Sequence, residues 1–365
     1  MIPINLYMDS DNQFFELFSE SSGFYIRSGV IENGKDTGRD PFMRNFPQLI
    51  DVGIMGSCTN GANGLCMKSG IQCYQNGSQV RKPNMSFPDF KMIVDQCKGK
   101  SFQFALGGRG DVDQHEHCEE FLRYCRENGI VPNFTSSGSG FSRRIADICK
   151  AYVGAIAISW HNADYTFRAI EMLLRARIKT NIHFVLGSHT IDEAMYRLGN
   201  NGFPEGINAI LFLLHKPVGL GSEQNVLRSD DARIKRFFEM VDAKNYNFKI
   251  GFDSCSCAGI INHTNGINLD SIDYCEGARY SCYIDAQMNM TPCSFVNDDA
   301  SWFVSLNDYS IMDAWNSEVF NRFRRFLSDS CRSCTDRVYC GGGCPIVNQI
   351  TLCDRKERKP YEDTH

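Results

Sequence analysis

A chain of 365 residues with 42% hydrophobic residues is long enough to bury a core without disulfide cross-links. Its 17 cysteines are an odd number. The sequence contains neither an N-terminal secretory signal nor an apolar run of about 18 residues, so we predict a cytoplasmic protein with reduced thiols, without membrane spans or a disulfide framework. The net charge of −5, without a broad basic face, argues against nucleic acid as a partner.

Three regions are predicted along the chain. Residues 1–48 are an N-terminal segment of unknown role, with one helix predicted near Asn12–Phe18. Residues 49–258 alternate short apolar runs with helical patterns, which is typical of parallel β/α units. Residues 259–365 contain short strands, glycines and cysteines, with one helix predicted near Met312–Leu327. This last region has too little continuous apolar sequence to fold well alone, so we expect metal to contribute to its stability.

The middle region is predicted to be an open, partial (β/α)6 barrel of the TIM type. Ser86 precedes one predicted helix, Thr190 and Glu193 form a predicted capping box for another, and Ser229 opens a third. Chemistry in such barrels occurs at the C-terminal ends of the strands. The predicted strands are Leu49–Met55, Phe102–Leu106, Val131–Thr135, Ala155–Trp160, Asn181–Leu186, Ile207–Leu214 and Phe248–Phe252.

Cysteines are grouped in two parts of the chain. Cys58, Cys66 and Cys73 follow the first predicted strand with the spacing C-x7-C-x6-C. Grouped thiolates bind soft metals, so these positions are candidate ligands. Structural zinc is an alternative for the C-terminal group, and buried unliganded thiols are an alternative for the first group. The C-terminal group comprises Cys275, Cys282 and Cys293, then the C-x2-C-x5-C-x3-C run of Cys331, Cys334, Cys340 and Cys344, and finally Cys353.

These motifs resemble the radical S-adenosylmethionine (SAM) enzymes that carry a C-terminal SPASM domain, over about residues 49–355. The C-terminal cysteine run, with Ile311-Met-Asp-Ala-Trp-Asn-Ser317 before it, is the most specific part of the resemblance. Two positions depart from the family pattern. The first three cysteines are spaced more widely than the usual C-x3-C-x2-C, and Met288 replaces the family's glycine before Cys293.

The resemblance implies three [4Fe–4S] clusters. Cys58, Cys66 and Cys73 would hold the first cluster and leave one iron free to bind SAM, from which reductive cleavage yields a 5′-deoxyadenosyl radical. The other two would be auxiliary clusters in a C-terminal cysteine-rich iron–sulfur domain. Their implied ligands are Cys275, Cys282, Cys293 and Cys344 for auxiliary cluster I, and Cys331, Cys334, Cys340 and Cys353 for auxiliary cluster II.

The implied SAM contacts follow successive strands. Gly107, Gly108 and Arg109 occupy the place of the family's Gly-Gly-Glu motif, where Arg109 replaces the carboxylate. Because a cation cannot accept a hydrogen bond from the SAM amino group, either Asp111 or Asp113 takes that role, or Arg109 faces the SAM carboxylate. The remaining candidates are Tyr74 beside the third cysteine, Ser136 and Ser137 near the ribose, and Ser159.

Two further cysteines follow the last predicted strand. Cys255 and Cys257 are candidates for hydrogen donation or substrate binding at the barrel mouth, with a structural role as the alternative. His161 and Asp253 are similar mouth positions, for which a satisfied polar contact is the alternative. The other four cysteines lie in helical patterns and are predicted to be buried core residues: Cys97, Cys118, Cys125 and Cys149.

The resemblance therefore predicts an enzyme that modifies a ribosomally made peptide, by a C–C or C–S cross-link or by backbone cleavage. Peptide epimerisation and side-chain oxidation of the sulfatase-maturing kind are alternatives, and a noncatalytic, zinc-stabilised binding module is a more distant one. Expected partners are the peptide or protein substrate, a reductant such as flavodoxin or ferredoxin, and a separate leader-peptide recognition protein, because residues 1–48 are too short for a complete winged-helix recognition domain. Direct docking of the leader against the barrel is the other possibility.

Overall fold

The computed structural model describes residues 4–243, 245–329, 331, 334–347 and 349–353. The chain begins with short antiparallel strands. β1, β2 and β3 form a three-stranded sheet in that order, and β4 pairs with β5. Their bounds are Asn5–Asp9, Phe14–Ser19, Phe24–Arg27, Ile31–Glu32 and Lys35–Asp36.

The helix predicted near Asn12–Phe18 is wrong, because that stretch forms β2. Alternate residues of β2 point to the same side of the sheet, so Phe14, Glu16 and Phe18 are all buried. Each phenylalanine contributes about 1.5–3 kcal/mol by burial. The strand buries both aromatic rings and brings Glu16 within 3.2 Å of Arg44. These tertiary contacts outweigh the helical propensity of the segment.

Seven parallel strands form the barrel, and all seven predicted strands are confirmed. They hydrogen-bond in chain order, β6 to β12, and the sheet does not close because β12 is its edge. The strands are β6 Leu49–Met55, β7 Gln103–Gly108, β8 Val131–Ser136, β9 Ile156–Ser159, β10 Thr180–Leu186, β11 Ala209–Leu214 and β12 Lys249–Phe252.

Six helices connect these strands and pack their apolar faces against the outside of the sheet. Two shorter helices, α1 Thr59–Ala62 and α2 Leu65–Lys68, precede them in the loop after β6. The six are α3 Phe87–Cys97, α4 Cys118–Glu127, α5 Arg143–Tyr152, α6 Asp164–Arg175, α7 Ile191–Gly199 and α8 Ala232–Ala243. Among the described residues, no helix is long and apolar enough to cross a membrane.

The predicted helix starts are only partly right. The Ser86 side chain caps α3 by accepting a hydrogen bond from the backbone of Asp89, as expected. Thr190 precedes α7 but forms no capping box. Its hydroxyl donates to the carbonyl of Val185 and accepts from the backbone of Gly187, so tertiary structure turns it back toward β10.

The C-terminal region extends the barrel sheet rather than forming a separate one. β13 Ser281–Ile284 pairs in parallel with β6, and β14 Asn289–Thr291 and β15 Val304–Ser305 continue the sheet antiparallel. The boundary at 258/259 stays a prediction, and it falls inside α9, Cys257–His263. The single helix predicted near Met312–Leu327 is wrong: two helices occur, α10 Ile311–Trp315 and α11 Glu318–Asp329, because Asn316 ends the first. A last helix is α12, Arg337–Cys340.

The N-terminal segment packs against the start of the cysteine-rich region. Arg27 pairs with Asp273 at 2.5 Å, and Arg279 pairs with Asp40, also at 2.5 Å. The Arg27 guanidinium also lies 4.0 Å from the centre of the Tyr280 ring. Charged groups that are removed from water need such partners, so these contacts fasten residues 4–48 to the segment around Cys275.

Candidate functional site

The three cysteines after β6 lie together at the C-terminal end of the barrel. Cys58 caps α1, and its sulfur accepts a hydrogen bond from the backbone of Gly61 at 3.1 Å. The pKa of Cys66 is raised to about 12, mainly because the thiol is buried and to a smaller extent because of the nearby negative charges of Cys58, Cys73 and Asp111. Burial and Cys73 also act on Cys58 and raise its pKa. The wide spacing therefore does not keep the three thiols apart, and Asp111 is a common neighbour of Cys58 and Cys66.

Glycine lets the loop fold tightly around these thiols. A Cβ atom on Gly77 would lie 3.1 Å from the Cβ of Cys58 and 3.5 Å from the sulfur of Cys73. A Cβ atom on Gly61 would lie 2.5 Å from the carbonyl oxygen of Gly77. The additional residues in the loop are thus used in compact turns, which explains how C-x7-C-x6-C brings three cysteines to one place.

A buried carboxylate lies beside the thiols. Asp111 accepts hydrogen bonds from the Ser137 backbone at 2.8 Å, from the Ser137 hydroxyl at 2.5 Å and from the Asn60 amide at 2.7 Å. Burial nevertheless raises the pKa of Asp111. Asp113 lies near Cys118 and Cys149, and its Oδ1 atom has no hydrogen-bond partner among the described residues. Burial, followed by the charge of Asp111, raises the pKa of Asp113 to about 6. Of the two carboxylates predicted as alternatives, Asp111 is the one that interacts with the triad.

The other predicted SAM contacts lie at the ends of successive strands. Gly108 ends β7 with φ +113°, and a Cβ there would lie 2.5 Å from the Met55 carbonyl, so only glycine fits. Gly107 precedes it in the same strand. The Ser136 hydroxyl, at the end of β8, accepts a hydrogen bond from the backbone of Gly138 at 3.0 Å. Ser159 ends β9 beside His183 of β10. No contact in the structure assigns these residues to SAM, and their roles stay predictions.

Arg109 forms an ion pair with a carboxylate of the C-terminal region. Its side chain is buried and pairs with Asp298 of the C-terminal region at 2.8 and 3.0 Å. Lys82 also contacts Asp298, at 2.9 Å. Arg109 thus has a partner within its own chain, and its predicted contact with SAM stays a prediction.

Tyr74 lies between the triad and the C-terminal region. Its ring packs on Phe295, with the ring centres 4.6 Å apart. Burial raises the pKa of Tyr74 to about 12. A direct contact of Tyr74 with SAM stays a prediction, whereas its contact with Phe295 links the loop of Cys73 to the segment after Cys293.

A cavity opens next to the triad at the ends of β9 and β10. Its volume is about 1250 Å³ including the open solvent in its mouth, and residues 68–72 of the cysteine loop form one wall. Trp160, His161, Val185 and His189 are among the residues opposite. Burial lowers the pKa of His161 to about 4, and its Nδ1 atom lies 2.8 Å from the Tyr165 hydroxyl. His161 is therefore a neutral, hydrogen-bonded wall residue.

A second cavity, in the C-terminal region, is lined by thiols. Cys344 and Cys353 lie in its wall beside residues of the loop after β12. All four thiols predicted for auxiliary cluster II contribute to this wall. The cysteines that line it are Cys255, Cys257, Cys275, Cys331, Cys334, Cys340, Cys344 and Cys353.

Cys282, which is predicted as a ligand of auxiliary cluster I, is not among the cysteines that line this cavity. Cys282 is 2% exposed on β13, and its thiol neighbour is Cys97 of α3. Cys255 instead hydrogen-bonds Cys344, and this bond, followed by burial, holds the pKa of Cys255 well above its ordinary value. Side chains alternate along β13, and this position points into the apolar core. The predicted role of Cys282 as a ligand of auxiliary cluster I stays a prediction.

Cys255 also lies near the other two cysteines that are predicted for auxiliary cluster I, Cys275 and Cys293. Burial, followed by Cys255, raises the pKa of Cys275 to about 12. Burial, Cys275 and Cys255 together raise the pKa of Cys293. Four thiols are therefore close enough to influence one another electrostatically, and all but Cys293 line the cavity: Cys255, Cys275, Cys293 and Cys344.

The other candidates have structural contacts. The Cys257 sulfur donates a hydrogen bond to the Asp273 carbonyl at 3.1 Å, and Asp253 forms an ion pair with Lys216 at 2.6 Å. The four helical cysteines are buried, as predicted. Over the described ranges, no three His, Cys, Asp or Glu side chains are placed to hold a single metal ion.

Three functional candidates were missed from the sequence. Asn60 lies within the cysteine loop, and Lys216 directly follows an apolar strand, so the barrel-mouth rule could have identified both. Asp298 gave no signal, because it is far from Arg109 in the chain and meets it only through the fold.

Comparison with known proteins agrees with this architecture. Residues 275–335 match the SPASM family, an iron-sulfur cluster-binding domain. Streptococcus suis SuiB bound to precursor peptide SuiA is 12% identical with a TM-score of 0.70, covering 96% of this chain and 99% of that chain. SuiB bound to S-adenosylmethionine is 13% identical with a TM-score of 0.67, covering 94% of each chain.

A third solved structure is native anSMEcpe with bound AdoMet and Cp18Cys peptide. It is 15% identical with a TM-score of 0.59, covering 84% of this chain and 91% of that chain. No curated protein matches the sequence. The chain thus has the fold of these solved structures, and the match over residues 275–335 confirms the SPASM domain predicted from the cysteines.

Proposed function

We propose that this protein is a radical SAM maturase that modifies a ribosomally made peptide. The observation that carries the proposal is the meeting of Cys58, Cys66 and Cys73 at the barrel mouth, beside a buried carboxylate and an open cavity. Three thiols can hold a four-iron cluster and leave one iron for SAM. When bound, the cluster and SAM supply the electron and the radical needed to abstract hydrogen from an unreactive C–H bond.

The chain's own residues would orient SAM. Asp111 is held by Ser137 and Asn60 and lies beside the thiols, so it is the acceptor that we assign to the SAM amino group. Gly107 and Gly108 would let the backbone approach SAM closely, and Ser136 and Ser159 would lie along its ribose. Arg109 then acts indirectly, because it joins the loop after β7 to Asp298.

The C-terminal region would hold two auxiliary clusters, for a total of three. For cluster I we propose Cys255 in place of Cys282, together with Cys275, Cys293 and Cys344. For cluster II we retain Cys331, Cys334, Cys340 and Cys353, which line one cavity. These thiols must lose their protons when iron binds, so cluster assembly would release protons.

The substrate class is supported by the solved structures with bound peptides. SuiB is bound to its precursor peptide SuiA, and anSMEcpe to the Cp18Cys peptide. The cavity beside residues 68–72 is the place where we expect the reacting segment to lie. Four-thiolate auxiliary clusters favour electron transfer over direct substrate binding, which supports a cross-link or backbone cleavage over epimerisation. A flavodoxin or ferredoxin reductant and a separate leader-recognition protein complete the proposal.

The test is anaerobic reconstitution followed by three measurements. We expect about twelve irons per chain, because each of three [4Fe–4S] clusters carries four. We also expect 5′-deoxyadenosine from SAM, and a mass change in a candidate precursor peptide co-expressed with the enzyme. A colourless zinc protein without SAM cleavage would contradict the proposal, and SAM cleavage with an unchanged peptide would contradict only that substrate.

A further inference from the structure

A buried lysine lies between the two groups of thiols. Lys216 follows β11, and its side chain is 2% exposed. Its ammonium donates to Asp253 at 2.6 Å and to the Leu214 carbonyl at 3.0 Å, and it lies 4.2 Å from the centre of the Phe295 ring. A buried ammonium requires such partners, so the fold commits a carboxylate, a carbonyl and an aromatic ring to this cation.

The ion pair is itself fixed from several sides. The Asp253 Oδ2 atom also accepts a hydrogen bond from the Leu214 backbone at 3.1 Å, and its Oδ1 atom accepts one from Ser256 at 2.9 Å. The Lys216 ammonium is thus paired with a carboxylate that is anchored at both of its oxygens. Lys216 is therefore a buried, immobilised positive charge.

The geometry places this charge beside segments that carry three of the four thiols assigned to auxiliary cluster I. Lys216 pairs with Asp253, two residues before Cys255, and lies over the ring of Phe295, two residues after Cys293. Cys255 in turn hydrogen-bonds Cys344. A single cation therefore lies beside the loop after β12 and the loop after β14.

The segment that carries Lys216 also reaches the other thiol group. The Leu220 backbone donates to the Cys73 carbonyl at 3.0 Å, and the Ser222 backbone donates to the Gln72 side chain at 2.8 Å. Phe295, below the Lys216 ammonium, packs on Tyr74. Residues 216–222 therefore connect the two sites.

We propose that Lys216 sets the redox preference of auxiliary cluster I, by stabilising its more negative, reduced form through a buried positive charge beside Cys255, Cys293 and Cys344. Net charge and solvent exposure are the main determinants of iron–sulfur potentials. A charge held in a region of low dielectric acts more strongly than one in water. The inference rests on the proposed function and deepens it, because a raised potential favours reactions with net oxidation over redox-neutral epimerisation.

The experiment is a redox titration of the reconstituted holoenzyme, followed by electron paramagnetic resonance. Lys216→Met should lower the midpoint potential of one auxiliary cluster. At a fixed ambient potential, we expect its reduced-to-oxidised ratio to fall about tenfold, which corresponds to 59 mV for a one-electron couple. Asp253→Asn removes the opposing charge and should shift the same cluster upward. Lys216→Arg should stay near wild type.

A matched control is Lys179→Met, at the opposite end of the barrel, where the ammonium contacts only the Glu20 carbonyl among the interactions described. It should not move any midpoint. An unchanged midpoint in Lys216→Met with full iron content would overturn the proposal, as would a downward shift in Asp253→Asn. If Lys216→Met does not load iron, the direction of the Asp253→Asn shift decides. Failure of the proposed function would look different, because the wild type itself would then lack clusters.

Discussion

The barrel and the cysteine-rich region both bury thiols, yet they use them differently. In the barrel, Cys97 and Cys125 are completely buried on helices and pack in the apolar core. In the C-terminal region, Cys344 and Cys353 are half-buried and line a cavity with six other cysteines. The first kind fills space as a small hydrophobe, and the second kind surrounds space that a cofactor can occupy.

Thiol acidity does not separate the two kinds. Burial raises the pKa to about 12 both for Cys97 in the core and for Cys275 at the auxiliary site. Proximity to another thiol does not separate them either, because Cys97 neighbours Cys282. The difference is the surrounding structure: helices and strands pack closely around the core thiols, whereas loops with glycines leave a cavity beside the others.

The largest expected effect concerns the three cysteines at the barrel mouth. Replacing Cys58, Cys66 and Cys73 together by Ala should remove about four of about twelve irons and abolish SAM cleavage, because only this cluster has a free iron. Iron analysis and 5′-deoxyadenosine formation are the measurements. The control Cys125→Ala removes a core thiol and should keep both. Retained SAM cleavage in the triple variant would disprove the assignment of the triad.

The next effect tests whether the cavity or the sequence motif identifies the ligands of cluster I. Cys255→Ala should lose about four irons, whereas Cys282→Ala should keep all clusters and cost about 1 kcal/mol of stability from a small core cavity. Iron content and thermal unfolding distinguish them. Cys344→Ala should resemble Cys255→Ala, and Cys353→Ala should affect cluster II. Iron loss in Cys282→Ala alone would restore the motif-based ligand set.

A smaller effect concerns SAM affinity. Asp111→Asn should weaken SAM binding by about 1.5–3 kcal/mol, or about 10- to 150-fold, because a charge-assisted hydrogen bond is lost. Asp113→Asn, at the neighbouring carboxylate that faces Cys118 and Cys149, is the matched control. Arg109→Glu would place a carboxylate against Asp298 and should lower stability. A SAM titration followed by the cluster's electronic spectrum decides, and tighter binding by Arg109→Glu would contradict our interpretation.

The smallest effect concerns the pH dependence of barrel stability. Asp51 lies on β6, and burial raises the pKa of its carboxyl from 3.8 to about 7. The folded state therefore keeps a proton that the unfolded state releases, so stability falls as the pH rises from about 4 to 7 and is lowest above that. Asp51→Asn should remove this loss.

We expect Asp51→Asn to raise the free energy of unfolding by about 1–2 kcal/mol at pH 8, and by less at pH 5. The full pKa difference corresponds to about 4 kcal/mol, but Asp51 is half-buried, which allows water to reduce it. Denaturant unfolding at both pH values is the measurement, with exposed Asp270→Asn as the control. A gain that is equal at both pH values would show that Asp51 does not titrate in this range.

Much of the fold could be predicted because local patterns and tertiary packing agree in the barrel. Each strand from Leu49–Met55 to Phe248–Phe252 is an apolar run between helical patterns, and burial on both faces of a parallel sheet requires that composition. The N-terminal strand β2 was missed, because its alternation of buried residues includes Glu16, whose burial depends on Arg44 elsewhere in the chain.

The amino-acid sequence alone determined the type of chemistry: grouped cysteines in a reduced, globular chain, with a barrel before them and a SPASM-like run behind. Tertiary structure alone decided which thiols share a site and which charges face them. Cys255 rather than Cys282 joins Cys344, and Arg109 pairs with Asp298. The physical reason is that ligand sets and ion pairs depend on distances between segments far apart in the chain, whereas strand and loop patterns depend on neighbours along it.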